Sequence, residues 1–152
     1  MPAEGTADDL PPRVLAIDPG RKRVGLAVSD PFGNFAVGLE TLRSYEGKDL
    51  IPEIGAVCKQ YEVCRVVIGL PLHMSGEEGL GAQSARQLGQ EIEQRLGLSV
   101  ELLDERLTSK LAEQTLREQG VQSSKHRKQG LVDQAAAMRI LQDYLDRRAR
   151  HS

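Results

Sequence analysis

A chain of 152 residues with a formal net charge of -2 has room for one domain with a full core, and it carries no global basic signature, so any nucleic-acid contact must come from local clusters. Its two cysteines, Cys58 and Cys64, are spaced as neither a zinc knuckle nor a CxxC redox pair and are expected as buried free thiols in a reducing cytosol. No apolar run approaches the ~20 residues that span a bilayer, and Met1 to Pro12 has neither a basic start nor an apolar centre, so the expected setting is the cytoplasm, with no membrane partner.

In chain order, residues 1–12 are rich in Pro, Ala, Gly and acids and read as a disordered tail. Strands are predicted at Arg13 to Asp18, Val24 to Ser29 and Phe35 to Leu42, parted by Gly20, Pro31, Gly33 and Asn34, as in a three-strand meander. Leu50, Ile54, Val57, Cys58 and Tyr61 then share one helical face, and Arg65 to Leu70 is a continuous apolar strand. In the loop after it, Gly69 and Pro71 read as the turn that opens it, and His73 as incidental. Leu80, Ser84, Leu88, Ile92 and Leu96 mark a second helix that Gly97 stops, and Leu98 to Leu103 reads as a fifth strand. Thr108 is placed to cap a helix over Ser109 to Gln119, and a last helix covers Gln129 to Arg147, leaving a basic tail at 148–152. Because parallel strands need crossovers, the order β-β-β-α-β-α-β-α-α implies an α/β domain over 13–147, a mixed sheet covered by helices.

Three carboxylates stand where chemistry is expected. Asp18 ends the first strand in a Pro-Gly turn and meets Arg21, Lys22 and Arg23, although Asp-Pro-Gly is also ordinary turn chemistry. Asp133 shares a helical face with Ala136, Ala137, Ile140 and Tyr144, a face that should pack on the sheet. A charge buried there costs several kcal/mol unless a cation or metal answers it; a salt bridge to Arg106 or Lys128 is the alternative to a metal. Asp104 and Glu105 lie where the fifth strand gives way to a helix, and adjacent strand residues face opposite ways, so only one should enter a shared centre. Glu105 is the choice, with Asp104 as its structural alternative, and an acidic pattern ahead of a helix cap explains the pair equally well.

DPGRKRVGLAVSD, VVIGLPLHMSG, DERLTS and KHRKQGLVDQAAAMRILQDYL, in this order, resemble the YqgF/RuvX family of pre-16S rRNA nucleases in the RNase H-like superfamily. The resemblance runs from about Arg13 to Leu145. It implies an RNase H-like fold, a five-stranded mixed sheet with its first three strands antiparallel and helices flanking it. It also implies Asp18, Glu105 and Asp133 as the catalytic, metal-binding acids. The IDPG start is similar to that of the Holliday junction resolvases, which carry a glutamate at the end of the fourth strand where this chain has Gly69. In the family the glutamate of the DER motif takes over that role.

Such a site implies phosphodiester hydrolysis with Mg²⁺ or Mn²⁺, since carboxylate oxygens select hard cations and there is no His/Cys cluster for zinc. In a scheme with two ions about 4 Å apart, Asp18 bridges both while Glu105 and Asp133 hold one each. Arg21, Lys22, Arg23, Arg106, Lys125 and Lys128 are candidates for backbone phosphate contacts, and with no tryptophan and 3% aromatic residues, shape and phosphate should dominate recognition. The expected partner is structured RNA, a ribosomal precursor whose 16S 5′ end is matured. Branched or single-stranded DNA is the alternative substrate, and a catalytically weak ribosome-assembly factor the alternative class. A monomer or weak homodimer is expected, and a sugar-kinase-like ATPase is disfavoured because that architecture needs two lobes.

Overall fold

Val14, Leu15, Ala16 and Ile17 are all fully buried, the signature of a strand covered on both faces. The computed structural model describes residues 10–72, 75–105, 110–118 and 129–150; His73, Arg106, Thr108, Lys125 and Lys128 lie outside these. The elements are β1 (Arg13–Asp18), β2 (Arg23–Ser29), β3 (Ala36–Arg43), α1 (Ile51–Gln60), β4 (Val63–Leu70), α2 (Leu80–Leu96), β5 (Ser99–Asp104), α3 (Lys110–Glu118) and α4 (Gln129–Arg150). They form one five-stranded sheet in the order β3-β2-β1-β4-β5. The pairs β1/β2 and β2/β3 are antiparallel, and β1/β4 and β4/β5 are parallel. The expected element order and pairing directions are therefore those observed.

Alternation along the strands divides the interior into two cores. Leu15, Ile17, Val24, Leu26, Val66 and Ile68 pack with Ile54, Ala85, Leu88 and Ile92 of α1 and α2. Val14, Ala16, Ala27 and Val67 pack on the opposite face with Leu116 of α3 and Ala137, Ile140, Leu141 and Tyr144 of α4.

Three local expectations are corrected. The buried stripe of α2 is Ala82, Ala85, Leu88, Gly89 and Ile92, while Ser84 is exposed and Leu80 is 72% exposed. Small residues at 82, 85 and 89 let the helix lie close to the sheet, and that rotates the stripe away from its first-turn leucine. Cys58 is buried but Cys64 is exposed, because on β4 it directly follows Val63, which turns into the α1/α2 core, and neighbouring strand residues face opposite ways. Finally, α4 continues through Arg147 to Arg150, so most of the supposed basic tail is helix. Gly97 does end α2, in the left-handed region at φ 68°, with its N–H donated to Glu93.

The long last helix is tied to the hairpin edge by Gln142, which is completely buried. Its Oε1 accepts the Ala36 N–H at 3.0 Å, and its Nε2 donates to the Asn34 carbonyl at 2.9 Å and to Asp146 Oδ1 at 3.1 Å. Gln142→Leu strips the Ala36 N–H and the Asn34 carbonyl of their partners and is expected to lower stability by about 1–3 kcal/mol. Urea unfolding of the two proteins would show this as a lower midpoint at constant slope; an unshifted midpoint would contradict it.

Candidate active site

Strand alternation chooses which acids meet. Asp18 continues the series Val14, Ala16, which faces α4. On β5, Val100 and Leu102 pack toward α1 and α2, whereas Leu103 packs toward α4. Glu105 follows Leu103 by one full period and falls on the α4 side; Asp104, whose register partner Leu70 belongs to the α1/α2 core, falls on the other. Glu105 rather than Asp104 is thus the acid that shares a face with Asp18.

The parallel strands end together, so their carboxylates converge at one edge. Ile17 pairs with Ile68 and Gly69 with Leu103, which sets Asp18 beside Gly69 and puts Glu105 one period beyond Gly69's partner on β5. Gly69 lies within β4 and is not merely the start of the following loop. A Cβ there would overlap Glu105 Oε1 and come within 2.6 Å of Ile140 Cδ1. The Glu105 carboxylate therefore occupies the volume a side chain at position 69 would fill, and the glycine is required by close approach rather than by backbone conformation.

Gly25 does the same for the third acid. It is the register partner of Asp18, and a Cβ on it would overlap the Asp133 carbonyl. The helix α4 thus crosses β2 in backbone contact at the position that carries Asp133. Its carboxylate is partly buried and pairs with Arg23, Nε to Oδ2 at 3.3 Å. The sequence-level partners for this ion pair, Arg106 and Lys128, lie outside the described residues. Arg23, a candidate for phosphate contact, thus also forms an ion pair with Asp133.

Burial first, then a hydrogen bond with Glu105 and the negative charges of Glu105 and Asp133, push the Asp18 carboxyl up to about 8, with Arg139 pulling the other way. At neutral pH, Asp18 accordingly keeps its proton and is hydrogen-bonded to Glu105. Among the described residues, no group of three His, Cys, Asp or Glu side chains forms a ready-made metal cage. What is assembled is a hard-oxygen donor pair with a third carboxylate close enough to act on it electrostatically, a chemistry suited to a divalent cation taking the proton's place.

Of the remaining candidates, Arg21 and Lys22 are exposed in the β1–β2 turn, and Arg106, Lys125 and Lys128 lie outside the described residues. Gly25 is not among the expected parts of the site, and Gly69 enters the sequence reading as a turn residue and as the position where the resolvases carry a glutamate. The signal was available, since each is a glycine inside an otherwise apolar strand, a place where another group commonly approaches the backbone.

Comparison with known proteins agrees with this layout. Residues 12–147 match the family described as RuvX, Holliday junction resolvase. A protein of Anaeromyxobacter sp. (strain K) named "Putative pre-16S rRNA nuclease" is 47% identical over 138 residues, covering 90% of this chain and 98% of that one. A protein of Clostridium botulinum (strain Eklund 17B / Type B) with the same name is 40% identical over 135 residues, covering 89% and 97%. Among solved structures, Thermus thermophilus RuvC in complex with a Holliday junction substrate aligns with a TM-score of 0.60 at 17% identity, covering 93% of this chain and 98% of that one, a likeness of fold. Five mixed strands in this order, two helical layers and these matches lead to one conclusion: the chain belongs to the RuvX family of RNase H-like nucleases, hydrolases of phosphodiester bonds.

Proposed function

We propose that this chain is a divalent-metal-dependent nuclease that trims the 5′ end of precursor 16S rRNA in the cytoplasm, with Asp18, Glu105 and Asp133 as its catalytic acids. The observation that carries the reading is the seating of Glu105 over Gly69 against Asp18, a half-buried pair of carboxylates at the open ends of three parallel strands. The names of the relatives supply the substrate. Residues 13–147 act as the catalytic domain.

The carboxylates of Asp18, Glu105 and Asp133 would hold Mg²⁺ or Mn²⁺, which compete with the proton on Asp18. When bound, such ions activate the attacking water and stabilise the leaving oxygen of an in-line displacement. The protein's own part is placement. Glycines 25 and 69 bring the acids together, Arg23 holds Asp133 in line, and the exposed Arg21 and Lys22 meet backbone phosphates without reading sequence. Among the described residues no helix is long and apolar enough to cross a membrane.

The test is cleavage of a 5′-extended 16S precursor RNA and of a four-way DNA junction in parallel, with Mg²⁺ or Mn²⁺ and with a chelator, by wild type and Glu105→Gln. Metal-dependent cutting of the RNA that Glu105→Gln loses is the expected result. Cutting of the junction alone would transfer the activity to branched DNA. RNA binding without cutting would make the chain an assembly factor.

A further inference from the structure

Arg23 and Arg43 stand directly opposite each other on β2 and β3, and like charges in that position repel. Arg23 is answered by Asp133 at 3.3 Å, but none of the ion pairs found among the described residues uses Arg43, Arg21 or Lys22, all of them exposed. The β1–β2 turn and the end of β3 are joined at this corner, where the Ser44 N–H donates to the Lys22 carbonyl at 2.8 Å. A cationic rim therefore runs from the turn after Asp18 across β2 to the edge strand.

Tyr45 follows immediately and is 65% exposed. Its ring is nonetheless supported: the Lys48 ammonium lies 5.7 Å from its centroid, anchored by the Arg43 carbonyl at 2.6 Å and by Glu53 at 2.7 Å. The chain has only five aromatic residues. Phe32 and Phe35 are exposed in the β2–β3 turn at the opposite end of the sheet, while Tyr61 and Tyr144 pack against the cores. Tyr45 is thus the exposed aromatic at the end of the sheet that carries Asp18 and Glu105. It lies past an edge strand two strand spacings from β1, about 10 Å to the side, a reach of roughly three or four stacked nucleotides.

We propose that this corner seats a single-stranded flank of the nucleic-acid substrate, with backbone phosphates on Arg43, Arg21 and Lys22 and an unpaired base stacked on Tyr45. An aromatic face has nothing to offer a base already stacked in a duplex, so the corner selects an unpaired strand beside the scissile bond. The inference rests on the nuclease reading above and assigns the form of substrate that the site accepts.

The test is fluorescence anisotropy in a chelator with three labelled probes: a short single-stranded RNA, the same sequence as DNA, and a blunt RNA duplex. Tyr45→Ala is expected to weaken single-strand binding about ten-fold, Tyr45→Phe to bind like wild type, and neither to change duplex binding. Arg43→Gln should reduce the steepness of the salt dependence for single strands by about 0.7. Equal losses for RNA and DNA assign the corner to any unpaired strand, and a loss with RNA alone to an RNA flank. Unchanged affinity in Tyr45→Ala with an unchanged salt slope in Arg43→Gln overturns the inference and leaves the nuclease reading standing. If wild type binds none of the probes, that reading falls and the inference with it.

Discussion

Replacing Asp18 by Asn is expected to abolish cleavage and, at the same time, to raise the melting temperature of the metal-free protein at pH 8. The loss of activity should be about 10³-fold or more, the scale of removing a principal catalytic group. The stability effect follows from linkage. With its carboxyl raised from 3.8 to about 8, folded Asp18 holds a proton that the unfolded chain has already released, so the unfolded state binds fewer protons between those values. The stabilising contribution of this group is fully present below about pH 4 and is lost as pH rises through about 8, leaving a half-buried, repelled carboxylate. Asparagine has no such charge to bury. A gain of a few kcal/mol is expected for Asp18→Asn at pH 8, shrinking toward pH 5, which at about 2–4 °C per kcal/mol is readily measured by calorimetry. Mg²⁺ should raise the melting temperature of wild type and leave Asp18→Asn unmoved. A variant that melts lower than wild type at pH 8, or one that still cuts, would contradict the assignment of Asp18 to the centre.

Gly69→Ala tests the same centre from the other side. The added methyl cannot coexist with Glu105 Oε1 and Ile140 Cδ1 where they stand, so either the carboxylate is displaced or the α4 contact opens. Overpacking of this kind destabilises by about 1–3 kcal/mol. A displacement of about 1 Å at a catalytic group lowers turnover about 10²-fold. Thermal melts and single-turnover rates on the same preparation separate the two effects. The Glu105→Ala background supplies a cycle: with the carboxylate gone, Gly69→Ala should lose part of its stability penalty, and the coupling should be of order 1 kcal/mol. Full activity in Gly69→Ala would mean that Glu105 works from some other position.

The two predictions concern residues of very different visibility. Asp18 was visible because an apolar run ends on it and a turn follows, all within a few residues. Asp133 was visible because helical spacing set it on the face of Ala137 and Ile140, and those residues are buried against the sheet. The choice of Glu105 over Asp104 needed the burial of Leu102 and Leu103 in opposite cores before alternation could decide it. Arg23 illustrates the limit of composition, since its place in a run of cations concealed its ion pair with a helix far along the chain.

Element order, the pairing directions of the sheet, the stop at Gly97 and the positions of three acids at element ends or on a packed helical face were determined by the sequence alone. These depend on spacing and turn chemistry that act over a few residues. Tertiary structure decided the rest. It turned α2 so that small residues face the sheet and Leu80 faces out, and it left Cys64 exposed. It also gave Gly25 and Gly69 their purpose, because an empty position on a strand acquires meaning only when a distant carbonyl or carboxylate comes to occupy it. Close approach between segments remote in sequence is set by the packing of whole layers, and no local pattern encodes how near two backbones will lie.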